Sequence, residues 1–346
     1  VTPAELRIGD RSIGPNSSTY IIAEIGVNHD GSVDRGLELI DAAAEAGVDA
    51  VKFQWFEADR LVGDPSAVAA YQRQAQIQDQ KAMLRGLEID ARGMERLVEA
   101  AHDAGLDAVV TVFSAELVSV ARSLAWDAWK TASPDLVHRP LLAALVEDGR
   151  PMLVSTGAAD LDEVRRADEW FPEAPIAFLH CVSAYPTPES EASLGAIRCI
   201  ADATGRPVGY SDHTTLETTG GLAVAAGAHL LEKHLTWNRS AEGPDHAVSL
   251  DQEGLTNFVN FTRRSYEAVG SGSKTVSAIE LDVRNVARQS VRAAHQLRPG
   301  VVLAASDLAV KRPADGIEPW RLDEIVGRTL RTGLETDAPI REEDLA

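Results

Sequence analysis

The chain has 346 residues, 45% of them hydrophobic and 25% charged, enough for one large domain and a small second one. Its formal net charge of −20 argues against nucleic acid and anionic membranes as partners, and no apolar run approaches a membrane span. The opening Val1-Thr-Pro-Ala-Glu-Leu-Arg has neither the basic nor the apolar part of a signal peptide, and Cys181 and Cys199 form no CxxC pair, so a cytoplasmic protein with reduced thiols is expected.

Residues 5–14 alternate around Gly9-Asp10 and predict a small hairpin. Short apolar runs then recur, each ending in reactive residues. Tyr20–Ala23 ends in Glu24, Ala50-Val51 in Lys52-Phe53-Gln54, Ala108–Val110 in Thr111, and Asp127–Trp129 in Lys130. Met152–Val154 ends in Ser155-Thr156, Ile176–Leu179 in His180-Cys181, Pro207–Tyr210 in Ser211-Asp212-His213, and His229–Leu231 in Glu232-Lys233-His234. Helical periodicity fills 34–46, 91–104, 116–124, 161–170, 193–204, 216–226 and 252–269, with Gly47, Gly105, Gly205 and Gly227 at helix ends. This rhythm predicts a (β/α)₈ barrel, in which strand ends converge on one face. Two His, several Lys, a Glu and hydroxyls there suggest a metal and a phosphorylated anion. The Gln-rich insert at 55–89 is too long for a simple loop and is expected to cover part of the pocket.

The helical pattern breaks at Gly270-Ser-Gly-Ser-Lys, which reads as a linker over 271–286. The expected domains are therefore a barrel over 1–270 and a compact tail over 287–346, the tail with short strands and a helical turn at 322–326.

These residues resemble the sialic acid synthases. The resemblance spans nearly the whole chain. It rests on Ala23-Glu-Ile-Gly-Val-Asn-His-Asp-Gly-Ser, Val51-Lys-Phe-Gln, Ser155-Thr-Gly, Leu179-His-Cys-Val-Ser-Ala-Tyr-Pro-Thr-Pro, Tyr210-Ser-Asp-His-Thr, Leu231-Glu-Lys-His and Gly243-Pro-Asp-His. In the tail, Val310-Lys-Arg-Pro-Ala-Asp-Gly-Ile is similar to the antifreeze-like (SAF) domain, of β-clip type, that follows the barrel in this family.

The resemblance implies condensation of phosphoenolpyruvate with an open-chain sugar aldehyde, N-acetylmannosamine or a relative, to a nine-carbon 2-keto acid with release of phosphate. His213 and His234 would bind a divalent metal, manganese first, with magnesium or cobalt as alternatives. Lys52, Thr111, Lys130, Ser133, Ser183 and Ser211 would bind phosphoenolpyruvate. Glu24, Lys52, Lys130 and Asp135 are the catalytic candidates; Gln54, Tyr185, Asp245 and Arg312 would contact the acceptor. Arg312 would serve the barrel of a partner copy in a domain-swapped homodimer. A Schiff-base lysine at Lys130, a pyruvate aldolase and a non-catalytic carbohydrate-binding protein are the competing readings. His180 and Cys181 read as strand packing.

Some positions depart from the commoner family pattern. Ala132-Ser133-Pro134-Asp135 replaces Gly-Ser-Gly-Glu, Ser183 replaces Asn, Thr111-Val112-Phe113 replaces Thr-Pro-Phe, and Ala75 stands where Asn is usual. The altered groups fall mainly on the acceptor side.

Overall fold

In the computed structural model, residues 5–64 and 79–346 are described; Ala75 and the rest of 65–78 in the Gln-rich insert lie outside them. The chain divides into two compact units between Ser271 and Gly272.

The first unit opens with the antiparallel hairpin β1 (Leu6–Ile8) and β2 (Arg11–Ile13). The next strands are β3 (Tyr20–Gly26), β4 (Ala50–Trp55), β5 (Asp107–Val112) and β6 (Ala128–Thr131). After them come β7 (Met152–Ser155), β8 (Ile176–Cys181), β9 (Val208–Asp212) and β10 (Leu230–His234). Strands β3 to β10 pair in chain order and β10 returns to β3, a closed parallel barrel of the TIM type.

Strand side chains alternate between two faces. One set, including Ile21, Ala23, Val51, Phe53, Val110 and Phe178, packs outward with residues of the surrounding helices. The other set, including Tyr20, Ile22, Ala50, Val109, Ala128, Leu153, Leu179 and Leu230, fills the barrel. Leu6, Ile8 and Ile13 of the hairpin join this interior cluster, so the hairpin closes the N-terminal end. Two residues further along each strand the interior becomes polar.

The long helices start and stop where their caps lie. Ser32 caps Val33–Ala46, whose end is the left-handed Gly47, at φ 81°. Asp90 caps Ala91–Asp103 and Asp251 caps Gln252–Val269. A helix at Arg139–Val146 was absent from the expected set. Pro140 reads as a breaker in sequence, but at the first helical turn it costs nothing, and Leu141, Leu142 and Leu145 are buried.

The second unit pairs β11 (Ser290–Ala293) with β12 (Leu308–Lys311) antiparallel, and has a helical turn at Leu322–Ile325. Val291, Leu303, Ile317, Ile325, Leu330 and Ile340 form its own core. The segment expected as linker is not irregular throughout. Ser277 and Glu280 make a reciprocal capping box, and Leu281–Ala287 is helical.

Gly209 in β9 shows how tightly the barrel closes. A Cβ there would sit 2.3 Å from the Leu230 carbonyl oxygen and 2.5 Å from its Cγ. Gly209→Ala is expected to destabilise the barrel by about 1–3 kcal/mol, read by urea unfolding; a change below about 0.5 kcal/mol would show that the strands yield.

Candidate functional site

The polar layer above the apolar barrel interior is built by one rule. Ile22, Ala50, Val109, Ala128, Leu153 and Leu230 point inward, so Glu24, Lys52, Thr111, Lys130, Ser155 and Glu232 do as well. Together with Ser211, His213 and His234 they line a cavity of about 530 Å³ at the C-terminal strand ends.

Glu232 lies at its centre. Its Oε1 accepts from Ser211 Oγ at 2.8 Å, and its Oε2 is 3.7 Å from both Lys52 Nζ and Lys130 Nζ. Lys52 also pairs with Glu24 Oε2 at 2.9 Å and donates to Thr111 Oγ1 at 3.0 Å. Glu24 Oε1 accepts from Gln54 Nε2 at 2.7 Å. Lys130 donates to the Thr131 carbonyl at 2.9 Å. All four charged groups are at most 4% exposed.

Burial and pairing pull on these groups in opposite directions. Burial raises the Glu232 carboxyl, but Lys130 and Lys52 outweigh it and bring it down to about 2. Burial also raises Glu24, and Lys52 only partly compensates, so Glu24 stays above the usual carboxylate range. Burial lowers Lys52, which Glu232 and Glu24 more than offset, raising it. In Lys130 burial dominates and its amine is lowered.

His213 and His234 face each other with ring centroids 5.5 Å apart. The His213 Nδ1 lies 2.9 Å from the Val182 carbonyl, which fixes the tautomer and leaves Nε2 as the free lone pair, 3.5 Å from Ser211 Oγ. Tyr185 stacks on His213 at 4.2 Å. His234 is lowered well below the ordinary histidine value by burial and then by His213, so it is neutral. Its buried Nδ1 has no hydrogen-bond partner, with Asp245 Oδ2 3.7 Å away. Among the described residues no cluster of three or more His, Cys, Asp or Glu forms a metal cage. Two inward-facing imidazoles, His234 lowered and His213 raised because its burial is outweighed by Cys181, the Val182 carbonyl and Glu232, fit an open site in which water and substrate complete the coordination.

Ser133, Asp135, Ser183, Tyr185 and Asp245 line the same cavity. Burial pushes the Asp135 carboxyl up to about 6, and its Oδ2 is buried without a hydrogen-bond partner. Arg312 belongs to the second unit, directly after β12, where it is exposed.

Two readings of the sequence change here. Glu232 appears in the Leu231-Glu-Lys-His motif without a role, yet it is the countercharge of both lysines. The signal was the period of two: Glu232 and His234 share the inner face, while Lys233 faces out and pairs with Asp212 at 2.8 Å. Cys181 is more than strand packing. His180 stacks on Tyr210 and bonds the Ala192 carbonyl, whereas Cys181 lies 3.7 Å from His213 Nδ1 and 3.5 Å from Ser133 Oγ. Phe56, Leu61, Val62, Met83, Leu84, Leu87 and Phe113 also line the cavity and give it an apolar wall. Nothing in the period of the insert marks these residues.

The NeuB family model matches residues 39–274, and the SAF domain model residues 288–346. An N,N'-diacetyllegionaminic acid synthase of Legionella pneumophila is 36% identical over 335 residues, 94% of each chain. An N-acetylneuraminate-9-phosphate synthase of Mus musculus is 29% identical over 99% of this chain and 97% of that one. The crystal structure of an N-acetylneuraminic acid synthetase from Leptospira borgpetersenii, in complex with citrate, superposes with a TM-score of 0.75 at 30% identity. It covers 81% of this chain and 95% of that one.

A prediction follows from the depressed Glu232 carboxyl. Its folded value lies below the unfolded 4.5, so it contributes stability above about pH 4.5 that is lost as pH falls toward 2. The stability difference between wild type and Glu232→Gln should therefore shrink across that window. A difference that stays constant from pH 6 to pH 3 in denaturant titrations would contradict the assignment.

Proposed function

The chain belongs to the NeuB family, whose relatives include sialic and legionaminic acid synthases, and we propose that it joins phosphoenolpyruvate to an open-chain sugar aldehyde with release of phosphate. The observation that carries this reading is the Lys52–Glu232–Lys130 cluster set beside His213 and His234 in one cavity. Phosphoenolpyruvate bears a carboxylate and a phosphate. Two fixed ammonium groups and the hydroxyls of Thr111, Ser133, Ser183 and Ser211 suit such a multiply charged anion.

In the reaction, C3 of phosphoenolpyruvate forms the new carbon–carbon bond to the aldehyde carbon, and the aldehyde oxygen takes up a proton. Water adds at C2 and gives up one proton; the C2–O bond to phosphate then breaks as the new C2 hydroxyl loses its remaining proton, forming the 2-keto group, and that proton leaves with phosphate. Glu24, raised by burial and anchored by Lys52 and Gln54, would accept the proton from water. His213 and His234 would hold the divalent metal, manganese first, whose chemistry when bound is polarisation of an aldehyde oxygen and activation of water. Gln54, Tyr185 and Asp245 would bind the acceptor.

The apolar wall bears on the acceptor. Seven hydrophobic side chains opposite the charged cluster favour an aldehyde with methyl-bearing substituents, such as acetamido or deoxy groups, over a bare polyol. We further infer a homodimer in which Arg312 of one copy serves the acceptor of another. Ile279 is 89% exposed and Val283 and Val286 are about 60% exposed on the segment before β11, apolar surface that a second copy would cover. Mixing Lys52→Ala and Arg312→Ala chains, each weak alone, should restore activity by forming one intact composite site; no recovery would argue against the exchange.

Phosphate release from phosphoenolpyruvate should depend on both aldehyde and metal. Exhaustive chelation should abolish it and manganese restore it, while Lys52→Ala or Lys130→Ala should cost on the order of 100-fold or more. Undiminished turnover with no metal by elemental analysis would overturn the metal assignment. Borohydride trapping of substrate on Lys130, whose amine is lowered by burial, would favour a Schiff-base route instead.

For the acceptor, kcat/KM should rank diacetamido-hexoses above N-acetylmannosamine and mannose, by about 10- to 200-fold for one buried methyl-sized group. If wild type prefers N-acetylmannosamine, and Asp135→Glu with Ser183→Asn only harms it, the altered-acceptor reading is wrong.

A further inference from the structure

The Asn28-His29-Asp30-Gly31 motif after β3 and His246 after Asp245 have no task in that chemistry, and none of them lines the cavity. Both segments emerge from neighbouring strands, β3 and β10, at the rim of the site. Side chains tie them together at several points. Asn28 Nδ2 donates to the Leu235 carbonyl and to Ser249 Oγ, both at 2.8 Å. Ser249 Oγ in turn donates to the backbone carbonyl of Asp245 at 2.6 Å. His246 is fully buried, with Nδ1 2.7 Å from Thr236 Oγ1 and Nε2 2.8 Å from Asp30 Oδ1. Trp237 Nε1 donates to Asp30 Oδ2 at 3.0 Å.

We propose that Asn28, Asp30 and His246 form a clamp that positions Asp245 for the acceptor, without touching substrate themselves. Asp245 is held from two sides. Its own carbonyl is fixed through Ser249 to Asn28, and the next residue is fixed through its imidazole to Asp30. The segment between strand end and clamp is packed to match: a Cβ on Gly243 would lie 2.6 Å from the His246 ring. What the clamp sets is the approach of the Asp245 carboxylate to His234, 3.7 Å away, beside the proposed acceptor site. Asp30 adopts a left-handed conformation, φ 53°, which Asp tolerates better than most non-glycine residues, and its carboxylate is held there by His246 and Trp237. His246 is thus a positioning residue and not a third metal ligand, since both of its ring nitrogens are engaged.

The functional half of this inference rests on the synthase reading. The decisive variant is Asp30→Asn, at a partly exposed position where folding is not threatened. It weakens a charge-assisted contact, so KM for the aldehyde should rise about tenfold. KM for phosphoenolpyruvate and manganese affinity should stay within about twofold. Combined with Asp245→Ala, it should add nothing further to the aldehyde KM, because it acts through that residue. Gly243→Ala should reproduce the same split. A parallel rise in both KM values, or additive effects with Asp245→Ala, would overturn the clamp. Amide hydrogen exchange gives a readout independent of turnover. Asp30→Asn should speed exchange over 243–249 and leave the barrel strands unchanged; no change in that segment would also overturn it. Wild type that releases no phosphate with any aldehyde would refute the synthase reading, and the exchange result would then decide the clamp alone.

Discussion

Two lysine side chains are held out of water at the centre of the barrel, and the rest of the site is arranged around that cost. An ammonium group at most 4% exposed needs a countercharge and donors' partners within reach. Glu232 provides the charge for both Lys52 and Lys130, and Glu24 provides a second one for Lys52 alone. The arrangement is asymmetric, and the asymmetry is chemically useful. Lys52 is pushed up and stays a firm cation, whereas burial lowers Lys130, which has only the shared carboxylate.

How much of this was legible in the chain follows from the strand period. Runs such as Tyr20–Ala23 and His229–Leu231 marked the strands, and the barrel followed from their number and spacing. The family motifs supplied Lys52, His213 and His234, the strand ending at Trp129 supplied Lys130, and the fold brings all four to one cavity. Glu232 escaped because the motif was read as a string and not as alternating faces. Placed on a strand with His234 inward, Glu232 must also be inward and Lys233 outward. The outward set is equally ordered: Lys233 bonds Asp212 and the Thr214 carbonyl, and Thr214 N donates back to Asp212. That network braces the turn carrying His213 from behind.

The parts that could not be read are those where tertiary contact overrides local pattern. Part of the apolar wall, Leu61, Met83 and Leu84, comes from short helical pieces, Ala58–Leu61 and Gln80–Arg85, in a polar stretch with no clear period. Leu61, Met83 and Leu84 are ordinary isolated hydrophobics in sequence; only the fold gathers them opposite the charged cluster. The Ser277–Glu280 capping box was visible as a spacing but was masked by the Gly-Ser run before it. The rim contacts join residues more than 200 positions apart, such as Asn28 with Leu235 and Asp30 with His246, and no local rule anticipates them.

The division of labour within the barrel then bears on the positions that set this sequence apart from the commoner pattern of the family it resembles. The lysine cluster lies one layer above a packed apolar interior, and each of its members is fixed by neighbours on adjacent strands, so a change there would strand a buried charge. Asp135, Ser183 and the insert residues sit beyond the strand ends, where a carboxylate such as Asp135, raised to about 6 by burial, is not locked into an ion pair. Substitutions at such positions alter shape and hydrogen bonding at modest cost to the fold. Under the proposed function, such a barrel would keep its anion-binding layer while its rim is rebuilt for another aldehyde.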